Sequence, residues 1–372
     1  MSYPDLYYRI ALTMLQDIGA ITAKKLVAYT GSAEAVFSEK SANLLKIPGI
    51  GRRLAGRIES VKILKEAEKE FEFIRKNNIK ALYFLDDEYP ERLKHCIDGP
   101  VLLYTKGLDC LSEAKILSIV GTRRASEHGK ATCNEIIGDL AKRFNRLVVV
   151  SGLAYGIDIT AHRAALDNNL QTIAVLGHGL KTMYPSTHLD TAKKIICQGA
   201  LVTDFNSEIK PERNNFIRRN RIIAGLSDAT IVIESGNRGG ALITADIASS
   251  YNREVMAVPG RTTDEYSRGC NSMIKKSIAS LVENSQDVEY IMNWEPEDAE
   301  QKDIQQFIPS FSEEEGKIVE TLYNNPDLQP EALSNRTNIP VHRVLSLLIE
   351  MELRGWLTPL PGNIYLLKVK PY

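Results

Sequence analysis

Long apolar runs are missing from this 372-residue chain. No stretch of 18 apolar residues occurs, and the opening MSYPDLYYRI lacks a charged-then-apolar leader pattern, so a membrane-spanning or exported protein is not expected. Cysteine is sparse: Cys96, Cys110, Cys133, Cys197 and Cys270 form no C-x-x-C pair. That argues against a zinc knuckle or a redox dithiol and suits a reducing cytosol, so a cytoplasmic location is expected. An excess of positive charge is missing too. Lys plus Arg is 46, Asp plus Glu is 47, and the net charge is −1. A nucleic-acid site would have to be a local patch on a neutral background. There is no G-x-x-x-x-G-K-[ST], no H-E-x-x-H and no G-x-S-x-G. Asp158 and His162 share one face of a predicted helix, where an internal cap or a link to Arg163 is expected rather than acid–base work. No catalytic residue and no metal ligand is assigned.

What is present divides along the chain. Residues 1–78 read as helical, with apolar residues at helical spacing and two glycine-broken segments, around Gly19 and over Ile47–Ala55. The second fits a helix-hairpin-helix turn, which can hold a backbone phosphate, although a packing role is favoured slightly. Residues 79–292 carry short Val- and Ile-rich runs: Ala81–Leu85, Val101–Tyr104, Ile116–Val120, Leu147–Val150, Thr172–Leu176, Leu201–Thr203, Thr230–Ile233 and Val255–Val258. From Ile116 onward they alternate with helical stretches, the pattern of a parallel sheet buried on both faces. Residues 293–310 read as an acidic linker. Residues 311–372 read as three helices and a hairpin over Leu357–Leu366, a winged helix, with Ser312 and Glu315 forming a capping box. The last helix, Val341–Leu353, offers only His342 and Arg343 before Glu350 and Glu352, so it suits a protein contact at least as well as duplex DNA.

The strand ends carry the functional signal. Gly121-Thr122-Arg123-Arg124, the loop opening Ser151-Gly152, Gly177-His178-Gly179-Leu180-Lys181, the loop through Arg238-Gly239-Gly240, and Pro259-Gly260 each follow a predicted strand. Right-handed crossovers would bring them to one sheet edge, where their free N–H groups suit phosphates. The segment from Phe205 to Arg221 holds five cations (Lys210, Arg213, Arg218, Arg219, Arg221) against two acids, with Phe216, Asn214, Asn215 and Asn220 among them. Charge for phosphates beside a ring for a base is what a single strand requires.

Together these stretches resemble the DNA-processing protein A (DprA/Smf) family. The resemblance rests on IVGTRRAS at 119–126, VSGLAYGIDITAHRAA at 150–165, IAVLGHGLKTMYP at 173–185, NFIRRNRIIAGLS at 215–227, GGALITA at 239–245 and VPGRTTDEYSRGCNSMI at 258–274. It implies an extended, Rossmann-like, doubly wound α/β domain, a helical SAM/helix-hairpin-helix-like domain before it and a winged helix after it. It also implies single-stranded DNA as ligand, a homodimer, RecA recombinase as partner in natural transformation, and neither a cofactor nor bond-breaking chemistry. Arg123 and Arg213 would hold phosphates, Phe216 would stack on a base, and Gly239 would admit the strand. Gly121, Thr122, Arg124, Ser151, Gly152, Lys181, Arg219, Asn220, Arg221 and Gly240 complete the expected DNA-binding set. Lys181 stands where many relatives carry Asp, and Ile217 where a proline is frequent. The alternative is a Rossmann-like nucleotide hydrolase of the phosphoribohydrolase type, which the GGALIT turn loosely echoes.

Overall fold

The Val- and Ile-rich runs become strands of one nine-stranded sheet in the computed structural model, which describes residues 5–58, 61–296, 311–325, 328–354, 356–360 and 364–367. Two units are distinguished, residues 1–298 and 299–372. The first opens with six helices: α1 (Asp5–Met14), α2 (Ala20–Thr30), α3 (Ala33–Ser38), α4 (Ser41–Leu44), α5 (Arg52–Ile58) and α6 (Val61–Lys76). Ile10, Leu12, Leu26, Val36 and Leu44 are fully buried among them. Gly49 adopts φ +89° in the turn before α5, a conformation that favours glycine.

The sheet elements follow: β1 (Lys80–Tyr83), α7 (Glu91–Lys94), β2 (Leu102–Gly107), β3 (Lys115–Val120), α8 (Glu127–Arg143), β4 (Leu147–Ser151), α9 (Ile157–Asp167), β5 (Gln171–Val175), α10 (Leu189–Gln198), β6 (Ala200–Thr203), α11 (Arg213–Leu226), β7 (Ala229–Val232), α12 (Gly240–Ser250), β8 (Glu254–Ala257), α13 (Arg268–Lys275), β9 (Ser280–Leu281) and α14 (Ser285–Met292). Their order is β1-β2-β6-β5-β4-β3-β7-β8-β9. Pairing is parallel from β6 to β9, while β1 and β2 are added antiparallel. Alternate residues of each strand feed opposite cores. Ile116, Val148 and Val150 pack with α11, α12 and α13, whereas Leu117, Ile119, Leu147 and Val149 pack with α8, α9 and α14. This two-sided burial makes the domain doubly wound. The chain steps from β3 through β4 and β5 to β6, then returns through α11 to place β7 on the other side of β3. The switch point therefore lies between β3 and β7.

The second unit holds α15 (Glu313–Asn324), α16 (Pro330–Thr337), α17 (Val341–Leu353), β10 (Leu357–Leu360) and β11 (Ile364–Leu367) around Ile318, Leu322, Leu333, Val344 and Leu348. Ser312 and Glu315 cap α15 reciprocally. The hairpin turn at 361–363 and most of the expected 293–310 linker lie outside the described residues. Among the described residues, no helix is long and apolar enough to cross a membrane.

Candidate nucleic-acid interface

An open groove of about 1090 Å³ lies across the carboxyl ends of β3 and β7, at the switch point. One wall is the turn after β3. Thr122 donates its N–H to the Glu234 carbonyl (2.8 Å), and its own carbonyl accepts from Ile157 N (3.2 Å). Gly156, at φ +78°, lets α9 start against this turn, since a side chain there would meet the Thr122 carbonyl. The turn is thus fixed from both neighbours, and Arg123 stands exposed at the groove.

The opposite wall is the start of α12. Gly239 is its N-cap, no side chain caps the helix, and residues Gly239 to Thr244 line the groove. An uncapped N-terminus presents N–H groups and the positive end of a dipole to an anion. Gly240 has nothing within 4 Å of the position a Cβ would take.

Helix α11 supplies the third side. Arg213, Phe216, Ile217 and Asn220 recur at helical spacing on its groove face. Asn220 donates to the Gly240 carbonyl at 3.3 Å, tying α11 to the start of α12. Phe216 is half-buried: the Arg123 guanidinium lies 5.5 Å from its ring centroid and the Tyr184 ring 5.6 Å away. Arg238 and Arg268 add exposed cations at the rim, against exposed Asp246 and Glu265.

Of the expected site residues, Gly121, Thr122, Arg123, Arg213, Phe216, Arg219, Asn220, Gly239 and Gly240 come together here. Five others do not line the groove. The Ser151 hydroxyl is buried and donates to the Ile119 carbonyl at 2.6 Å. Gly152 is buried beneath Arg219, whose Nη1 would lie 1.7 Å from a Cβ there. Lys181 pairs with Glu208 on another part of the surface. Arg221 points away from the groove, pairing with Asp204 and donating to the Asp98 carbonyl. Arg124 is exposed but outside the groove wall.

Arg219 is a partial correction. It reaches the groove floor, but it is buried and gives Nη1 to the Val175 carbonyl at 2.9 Å. Burial lowers its pKa to about 10, with Asp158 opposing that shift, while burial raises the Asp158 carboxyl against the pull of Arg219. The two buried charges partly offset one another beneath the site. Asp158 also accepts from Ala154 N at 3.4 Å, and His162 bonds Thr172 at 2.7 Å, so both face inward while Arg163 lies exposed. Arg268 and Tyr184 escaped the sequence reading. Both lie in stretches already singled out, but no strand end marks Arg268, and Tyr184 reads as one more loop aromatic.

The family model for DNA recombination-mediator protein A matches residues 80–293, and that for the DprA winged helix domain matches 298–363. This chain belongs to the DprA/Smf family. Protein Smf of Escherichia coli (strain K12) is 33% identical over 322 residues, covering 81% of this chain and 83% of that protein. DNA processing protein DprA of Streptococcus pneumoniae is 42% identical over 205 residues, covering 55% and 71%. The X-ray structure of Streptococcus pneumoniae DprA superposes with a TM-score of 0.64 at 32% identity, covering 78% of this chain and 98% of that one. The DNA processing protein A of Helicobacter pylori, solved to describe its single-stranded DNA binding mode, gives a TM-score of 0.52 at 27% identity, covering 58% and 95%. The DprA/Smf matches span the sheet domain whose switch point carries the groove, and the carboxyl-terminal unit is the family's winged helix.

Proposed function

We propose that the groove between β3, β7 and α11 holds single-stranded DNA by its phosphates with little sequence preference, and that the protein is a binding protein rather than an enzyme. One observation carries this reading. Arg123, Arg213 and Phe216, from separate elements, meet in one groove opposite the uncapped start of α12. Cations and helix N–H groups suit a phosphate chain, and an aromatic ring suits an unpaired base. Membership of the DprA/Smf family extends the reading to a cytoplasmic homodimer that protects incoming strands in natural transformation and helps load RecA. The four parts read from the sequence — 1–78, 79–292, the 293–310 linker and 311–372 — give this role a central binding domain between two auxiliary ones.

The test is a gel-shift competition between single- and double-stranded oligonucleotides at two salt concentrations. A stacked base is worth roughly 1–3 kcal/mol, so Phe216→Ala weakens single-strand binding about tenfold or more. Arg123→Glu weakens it further and flattens the salt dependence. Single-strand affinity unchanged by both substitutions overturns the proposal. Release of free base from nucleoside monophosphates by the purified protein would instead favour the phosphoribohydrolase reading.

A further inference from the structure

Phe216 is not a bare platform. Gly177 lies directly against it, since a Cβ there would be 2.7 Å from its Cδ1. The Arg123 guanidinium sits 5.5 Å from the ring centroid. The Tyr184 ring sits 5.6 Å away, tilted by 37°. A base that stacks on a covered part of the Phe216 ring must take the place of one of these three. Gly177 is buried backbone two residues past the end of β5, with no side chain to rotate away. Arg123 is the groove's cation on the β3 turn, and moving it would cost the phosphate contact beside the base. Tyr184 remains. It is 43% exposed, on the loop after β5, and its tilt leaves a wedge rather than a settled stack.

We propose that Tyr184 and Phe216 are the two walls of a slot that takes one unpaired base between them. The proposal rests on the single-strand reading of the groove and deepens it. Two rings with a base between them stand about 7 Å apart, twice a stacking repeat of roughly 3.4 Å. From the present 5.6 Å, the slot needs about 1.5 Å of further opening and loss of the tilt, within reach of a side-chain rotation. Arg123, beside the same ring, would then take the phosphate of the inserted nucleotide. A duplex base, stacked and paired on both sides, cannot enter, so the slot selects for single strands.

Tyr155 provides an internal control. It is 45% exposed on the loop after β4, but its ring packs edge-on to His188 at 4.9 Å, away from Phe216. The probe is a thymidine oligonucleotide carrying one 2-aminopurine, bound by the full chain and followed by anisotropy and fluorescence. Tyr184→Ala and Tyr184→Leu should each weaken binding about five- to hundredfold, whereas Tyr184→Phe and Tyr155→Ala stay within about twofold of the parent. Quenching of the 2-aminopurine should be relieved in the Ala and Leu variants. Because one base touches both rings, Tyr184→Ala combined with Phe216→Ala should lose less than the product of the single losses. Should Tyr184→Ala lower the thermal midpoint, the Leu variant, which still covers Phe216 but offers no π-face, decides. If Phe216→Ala weakens binding while Tyr184→Leu does not, or if the two losses multiply, the slot is wrong and the groove stands. If neither ring matters the slot is wrong, and the groove reading falls as well only if Arg123→Glu also leaves binding unchanged.

Discussion

At the scale of single residues, the glycines of the strand-end loops do two different jobs. Most serve packing of protein on protein. Gly152 makes room for the buried Arg219 and Gly121 for Ile157, and of the two only Gly121 also borders the groove. Adding a Cβ at Gly152 would push Arg219 off the Val175 carbonyl and leave a buried charge poorly paired. Gly152→Ala should therefore cost about 3 kcal/mol of stability in denaturant unfolding. Gly240 differs, because nothing lies near its missing side chain and its φ is not positive. Gly240→Ala should leave stability within about 1 kcal/mol of the parent, since it starts a helix, while weakening single-strand binding. The sequence marks both as glycine after a strand, and only the side chain arriving from another element separates them. Nor does the sequence disclose that Ser151, Lys181 and Arg221 take protein partners, the Ile119 carbonyl, Glu208 and Asp204 respectively. His162 is a further buried case. Its Nδ1 bonds Thr172, and burial lowers its pKa from 6.5 to about 3. The unfolded chain takes up a proton below about pH 6.5 that the folded chain refuses, so this contribution is complete above that pH and lost as pH falls towards 3. The slope is about 1.4 kcal/mol per pH unit. Between about pH 7.5 and pH 5 the parent should lose roughly 2 kcal/mol more than His162→Asn, measured by urea unfolding. Equal losses would place the imidazole in water.

At the scale of elements, the position of α11 decides whether Arg213 and Phe216 reach the groove. The loop leading into it is held from elsewhere. Glu70, buried on α6, accepts from Ser207 N at 2.9 Å and from its hydroxyl at 2.6 Å, and the Tyr104 hydroxyl donates to Asn206 at 3.0 Å. The amino-terminal helices thus brace the loop before the basic helix, a role no local pattern discloses. Glu70→Ala leaves two buried donors unpaired, at about 1–3 kcal/mol each. It should lower the thermal midpoint and also weaken oligonucleotide binding, although Glu70 does not line the groove. A midpoint shift with binding unchanged would show that α11 is held by its own packing. The parallel strands were legible because both their faces are buried, which writes them as unbroken Val and Ile runs with boundaries off by a residue or so. β9 was not, since two exposed residues, Ser280 and Leu281, carry no period. The β6-to-β7 crossover was equally invisible. The strand sequence does not say which side of β3 the chain returns to, yet that return creates the crevice.

For the whole molecule, net charge and site charge are separate quantities. Cations and acids nearly cancel overall, at 46 against 47, while the groove gathers exposed Arg123, Arg213, Arg238 and Arg268 against exposed Asp246 and Glu265. A neutral exterior gives little long-range attraction, so binding should depend on salt only through the phosphates actually contacted. For single strands each neutralised phosphate adds about −0.7 to the slope of log K against log salt. If all four guanidinium groups engage, the slope is about −3, far from that of a broadly basic protein. Arg213→Ala and Arg268→Ala should each shallow it by about 0.7, and removing both by about 1.4. Neutralising Lys181, which is paired with Glu208 away from the groove, should leave it unchanged. Titrations of one oligonucleotide length over a range of potassium chloride concentrations measure all of these slopes. A slope well beyond −4, or one that responds to Lys181, would mean that the strand tracks over a larger surface than the crevice between β3 and β7.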